Sequence, residues 1–334
     1  MNCKYIEYRD YFIYDNHNII IKSHFKGKLE LIKFCTEIKS IIFTNYDKIE
    51  HIYKDITTQN YYHIVKNISR FNNNVDNLPS TLINLRFGTK FNQNVDKLPL
   101  TLLYLTFGKN FNKSVNNLPS SLLNLTFGHN FNQILNNLPS TLLNLTFGYN
   151  FSQTLDNLPN KILNLIIDHY FNLSIDNLPQ QMLNLTFGCC FNQPVDNLPQ
   201  TITNLTFDFK FNCTVDNLPP RLLNLKFGKN FNQPVDNLPI YIINLTFGRN
   251  FNQTINNLPS MILNLNFGNK FNQSLDNLPN SIISINFIDY SYQRYHIEFV
   301  FNKQINCLPN FIRTIKLPNN YKNLNNNYNT VIVQ

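Results

Sequence analysis

The chain has 334 residues, a hydrophobic fraction of 43% and a formal charge of +8, with only 14% of residues charged. That supplies apolar material for a sizeable core, while no apolar run is long enough to span a bilayer. The basic excess is spread thinly, which argues against a nucleic-acid surface, where Lys and Arg concentrate on one face.

Alanine and tryptophan are absent while Asn, Ile, Leu, Phe and Tyr abound. Alanine codons are GC-rich and those of Asn, Ile and Phe are AT-rich, so this is the composition of an AT-rich genome. The six cysteines are Cys3, Cys35, Cys189, Cys190, Cys213 and Cys307. They occupy no fixed repeat position and form no paired CxxC spacing, so free thiols in a reducing, intracellular compartment are expected. The opening "MNCKYIEYRDYFIYDNHNIII" has no apolar stretch behind a basic one, and no secretory signal is expected.

Residues 1–70 read as an N-terminal cap with degenerate repeats. "YFIYDNHNIIIKSHF" has the pattern of a hairpin turning at Asp15-Asn16-His17-Asn18. "KLELIKFCTEI" (28–38) suits a short helix, and Ile38, Ile41 and Phe43 then show strand spacing.

From residue 71 to 290 the chain writes the same twenty residues eleven times. Phe-Asn opens most units, as at 71, 91, 111 and 131, with Phe-Ser at 151. The consensus is F-N-x-x-V-D-N-L-P-x-x-L-x-N-L-T-F-G-x-x. A period of about 20–29 with L-x-x-L-x-L spacing is the signature of a solenoid. In the unit 111–130, Leu125 and Phe127 alternate around Thr126 as a short strand requires, and Phe111, Val115, Leu118 and Leu122 complete the expected core. Proline follows leucine in every Leu-Pro pair and suits a turn or strand entry. Glycine follows most strand phenylalanines, with Asp168, Asp208 and Ile288 as substitutes, so a turn with positive φ, or a crowded one, is expected there. Three asparagine columns suit coil-to-coil amide hydrogen bonds and turn caps. An insertion, 291–300, interrupts the period; 301–318 holds a last partial repeat, and 319–334 a C-terminal cap or tail with Val331-Ile332-Val333 as its candidate terminal strand.

No residue is assigned a catalytic, cofactor-binding or metal-binding role. His129 and His169 share a column two coils apart, roughly 10 Å at a coil spacing of about 4.8 Å, too far for one metal. Cys189 and Cys190 are adjacent, with Cys213 one coil on in a different column. The periodic aspartates read as turn caps rather than as paired acid–base carboxylates. The variable positions after the glycine are the candidate partner-binding edge: Lys90, Lys109, Tyr149, Tyr170, Phe209, Lys210, Lys229, Arg249 and Lys270. The insertion offers Tyr292, Arg294, Tyr295 and His296, residue types common at interfaces.

The Phe-Asn start, the Leu-Pro and the L-x-x-L-x-F strand resemble the FNIP repeat family, with "FNQPVDNLP" at 191–199 and 231–239 as very close matches. The resemblance covers roughly residues 71 to 318. It implies a β-rich solenoid, a leucine-rich-repeat-like right-handed coil with one short parallel strand per 20-residue repeat, used for protein binding. Such repeats abound in social amoebae and giant viruses of amoebae, in keeping with an AT-rich genome, so the site of action would be the cytoplasm, or the host cell for a viral protein. In giant-virus proteins an F-box often precedes the array, which implies an alternative role as substrate-recognition adaptor of a cullin-type ubiquitin ligase, with residues 1–70 as a degenerate F-box. The L-P-x-x-L pattern is also similar to bacterial LPX effectors. The expected function is a non-enzymatic protein–protein interaction scaffold, without cofactor or membrane association, whose protein partner the residues do not name.

Overall fold

The computed structural model describes residues 5–7, 11–14, 17–27, 38–44, 69–289, 298–323 and 332–333. The chain divides into two compact units, Met1–Ile162 and Leu163–Gln334. All regular structure among the described residues is β, and no helix there is long and apolar enough to cross a membrane.

The first unit begins with β1 (Tyr5–Glu7), β2 (Tyr11–Tyr14) and β3 (Asn18–Ile21), which pair antiparallel in sequence order. The β2–β3 pair is the hairpin expected from its turn residues. Direction then changes. β4 (Ser40–Phe43) lies parallel to β3 and is followed by β5 (Asn84–Arg86), β6 (Tyr104–Thr106), β7 (Asn124–Thr126) and β8 (Asn144–Phe147), each parallel to the one before. From β5 onward the register advances by twenty residues per strand, so Leu85, Leu105, Leu125 and Leu145 stand in one row. The helix expected over 28–38 lies, but for Ile38, outside the described residues.

The second unit is parallel throughout. It comprises β9 (Asn164–Ile167), β10 (Asn184–Phe187), β11 (Asn204–Thr206), β12 (Asn224–Lys226), β13 (Asn244–Thr246), β14 (Asn264–Phe267), β15 (Ser284–Phe287), β16 (Thr314–Lys316) and β17 (Ile332–Val333). The twenty-residue register holds to β15, after which Ser284 pairs with Thr314 thirty residues on. The β-solenoid turn is thus the repeating element of both units.

Each turn closes in the same way. The proline carbonyl accepts a hydrogen bond from the aliphatic residue three positions later, as from Leu122 N–H to Pro119 O at 3.2 Å, and the chain turns into its strand. Leu122, Leu125, Phe127, Phe111 and Val115 are all buried as expected, whereas Leu118 is only half-buried. Two phenylalanines per turn stack face to face: Phe127 and Phe131 lie 3.7 Å apart at 8°, and Phe127 reaches Phe107 and Phe147 at 5.7 and 5.5 Å. The second unit repeats the arrangement from Phe187–Phe191 to Phe267–Phe271. A single turn exposes both flat faces, so the stacks that run from turn to turn form only when turns adjoin.

The glycine after the strand answers to crowding. A Cβ on Gly108 would lie 2.1 Å from the Gly88 carbonyl oxygen, and one on Gly248 only 1.8 Å from that of Gly228. None of the glycines has a left-handed φ. Of the two expectations for this position, close backbone approach is the one the structure carries.

Candidate functional site

The polar columns divide into those spent on the coil and those left for solvent. The strand asparagines form an amide ladder: Asn144 Nδ2 donates to Asn124 Oδ1 at 3.0 Å, Asn264 to Asn244 at 2.7 Å, and Asn184, Asn204 and Asn224 each to the asparagine one turn back. The asparagine after the opening phenylalanine accepts from the backbone N–H one turn on, as Asn92 Oδ1 does from Asn112 at 2.9 Å and Asn212 from Asn232 at 2.8 Å.

The aspartate column is engaged as well. Asn197 Nδ2 donates to Asp176 Oδ1 at 2.9 Å, and Asn217, Asn237 and Asn257 donate at 3.0 Å to Asp196, Asp216 and Asp236. Hydrogen bonds from Asn197 and Ser174 hold the Asp176 carboxyl below its ordinary value, against a smaller desolvation effect. These carboxylates link neighbouring turns.

The variable edge is built by the two-residue turn after each strand. In the first unit it carries Lys90 and Lys109, both exposed, and Tyr149, half-buried and stacked on His129 at 4.5 Å. An open groove of about 560 Å³ runs beside it, lined by Arg70, Asn72, Lys90, Asn92 and Asn110. In the second unit Tyr170, Lys210 and Lys270 are exposed, and Phe209, Lys229 and Arg249 are half-buried. Lys229 Nζ sits 4.2 Å above the Phe209 ring, a cation–π contact from one turn to the next. The Arg249 Nε is shielded from solvent with no hydrogen-bond partner. The predicted edge residues therefore line up by turn within each unit. The insertion residues Tyr292, Arg294, Tyr295 and His296 lie outside the described residues.

Sequence reasoning passed over one constellation. His169 in the turn after β9 and Cys189 and Cys190 in the turn after β10 place one ligand atom each within 4.8 Å of one another. Cys190 Sγ is 3.8 Å from His169 Nδ1, and the Cys190 N–H donates to the His169 carbonyl at 2.8 Å. All three side chains are half-buried. Burial pushes the Cys189 thiol up, Asp208 and Cys190 add to this, and Lys210 opposes it. The signal was present: His169 and Cys189 are twenty residues apart and so share a column. Comparing histidines only with histidines hides it. Exposed apolar side chains at Ile240, Tyr241 and Met261, just after the Leu-Pro pairs, were likewise not foreseen.

The family model of the FNIP Repeat matches residues 111–150 and 231–270. No curated protein matches the sequence. Among solved structures, CroV588 of the giant virus CroV, described as a novel circular leucine-rich-repeat protein, is 32% identical with a TM-score of 0.52, over 72% of this chain and 47% of that one. This chain thus spans about half the length of that protein. An internalin, InlF, of Listeria monocytogenes shares the fold at 16% identity and a TM-score of 0.50, over 91% of this chain and 81% of its own. YopM of Yersinia enterocolitica aligns at 20% identity and a TM-score of 0.47, over 74% and 60%.

Proposed function

Since this chain belongs to the FNIP-repeat proteins, with their leucine-rich-repeat-like fold, we propose that it is a non-enzymatic scaffold that binds a protein partner along its variable edge. One observation carries the reading. The constant polar columns are consumed in bonds between turns, whereas the edge keeps a varied set of cations and aromatic rings at the surface. Cations and rings in partial burial are the side chains that anchor interfaces. An acidic or mixed-charge protein surface is the complement to Lys210, Lys229, Arg249 and Lys270. Cys189, Cys190, Cys213 and Cys307 are not joined in disulfides, and their scattered spacing fits an intracellular, reducing site of action.

The test is capture from amoebal lysate by the full chain beside a variant with Lys210→Glu, Lys229→Glu and Lys270→Glu, at two salt concentrations. Proteins held by the parent and lost by the variant support the edge. Partners retained equally by both refute it. The adaptor reading makes a separate demand, that cullin-ligase components co-purify with the full chain whether or not the edge is altered. The strands β1 to β4, among the described residues before 69, support the reading of a cap.

A further inference from the structure

We propose that His169, Cys189 and Cys190 form a zinc site that joins two successive turns of the second unit. The donor set and spacing carry the inference. Two thiols and an imidazole, with no carboxylate among them, suit a borderline-soft ion rather than magnesium or calcium. A tetrahedral zinc with bonds of about 2.3 Å to sulfur and about 2.1 Å to nitrogen sets its sulfur and nitrogen ligands roughly 3.6 Å apart. Cys190 Sγ and His169 Nδ1 stand at 3.8 Å, and all three donor atoms fall within 4.8 Å of one another.

Adjacent cysteines in a strand would point to opposite faces. Cys189 and Cys190 instead occupy the turn that follows β10, where that alternation no longer applies, and both thiols reach the same point. The backbone is held there before any ion arrives: Cys190 N–H donates to His169 O at 2.8 Å, and Lys210 N–H to Cys189 O at 2.9 Å. The three side chains are half-buried, and with three protein ligands a water would complete the tetrahedron. On binding, the two thiols release their protons to solvent as the zinc–sulfur bonds form. The site sits on the variable edge but stands independently of the binding role proposed for that edge.

Cobalt(II) is the spectroscopic probe for zinc. The reduced full-length chain is titrated with cobalt(II), then with zinc(II), and the thiolate-to-cobalt charge-transfer band is followed. The expected result is one cobalt per chain, a tetrahedral spectrum, and its displacement by one zinc. Cys189→Ser, Cys190→Ser and His169→Asn each abolish the band, while Cys213→Ser and His129→Asn leave it intact. Circular dichroism without metal must give the same melting curve for every variant, which separates loss of a ligand from loss of fold. No band, a band that survives Cys190→Ser or His169→Asn, or one lost on Cys213→Ser would overturn the site. Uptake of copper(I) without zinc or cobalt would overturn its assignment to zinc.

Discussion

Truncation of Phe127 to alanine tests the account of the core. The ring is 2% exposed and stacks at 3.7 Å on Phe131, with Phe107 and Phe147 on either side at 5.7 and 5.5 Å. Removing a buried phenylalanine costs about 3–5 kcal/mol through lost transfer energy and the cavity left behind. The neighbours are poorly placed to fill that cavity, because each ring is held between two others in its own stack. At a urea dependence of about 3 kcal/mol per molar, the loss lowers the denaturation midpoint by roughly 1 to 1.7 M. The matched control is Thr126→Ala, one residue earlier on the opposite, half-buried face; it should change stability by no more than about 0.5 kcal/mol. Urea titrations followed by circular dichroism decide the matter. Equal midpoints for the two variants would refute the assignment of the inward face.

Asn204 both accepts from Asn224 and donates to Asn184. Asn204→Ala breaks two links of the ladder and should cost about 1–3 kcal/mol, measured by the same titration, with hydrogen exchange quickening first at β11. Gly248→Ala drives a methyl group against the Gly228 carbonyl and should destabilise by about 1–3 kcal/mol or more; a neutral result in thermal melts would mean that the turns can separate freely. Burial pushes the Asp276 carboxyl up, but bonds from Asn306, Ser274 and the backbone N–H groups of Asn306 and Cys307 outweigh it and leave its pKa below the ordinary 3.8. Its contribution to stability is therefore complete above 3.8 and disappears as the pH falls through the lowered native value. An NMR titration should place the Asp276 midpoint below that of an unstructured aspartate, and Asp276→Asn should flatten the acid limb of the stability profile.

The period was legible because a solenoid projects sequence onto space with little remainder. Residues twenty apart become neighbours, so the columns of Leu125, Phe127 and Asn124 could be assigned from spacing alone. What failed to show were relations between columns. The bond from Asn217 to Asp196 spans twenty-one residues, and Cys190 meets His169 across the same distance; both depend on how far the turn tilts, which no periodicity records. Exposure was also out of reach within a column, since Lys109 and Lys229 share a column and a side-chain type but not a degree of burial. The glycine rationale stayed open for a similar reason. Spacing marks the position as special, and only the approach of the next backbone shows that the restriction is on volume.

The thirty-residue step from Ser284 to Thr314 carries an implication for how such a chain can change. Strand pairing resumes in phase after a longer path, so β15 and β16 require only that corresponding positions arrive together. A whole repeat added or lost within a unit would meet the same condition, leaving every donor opposite its acceptor. Length thereby becomes a heritable variable uncoupled from fold, open to copying errors in a repetitive reading frame. A shift of a single residue would instead turn the core row outward along the whole strand. Surveyed among natural isolates, length differences in this array should therefore come in whole repeats, with irregular lengths confined to the connections between strands.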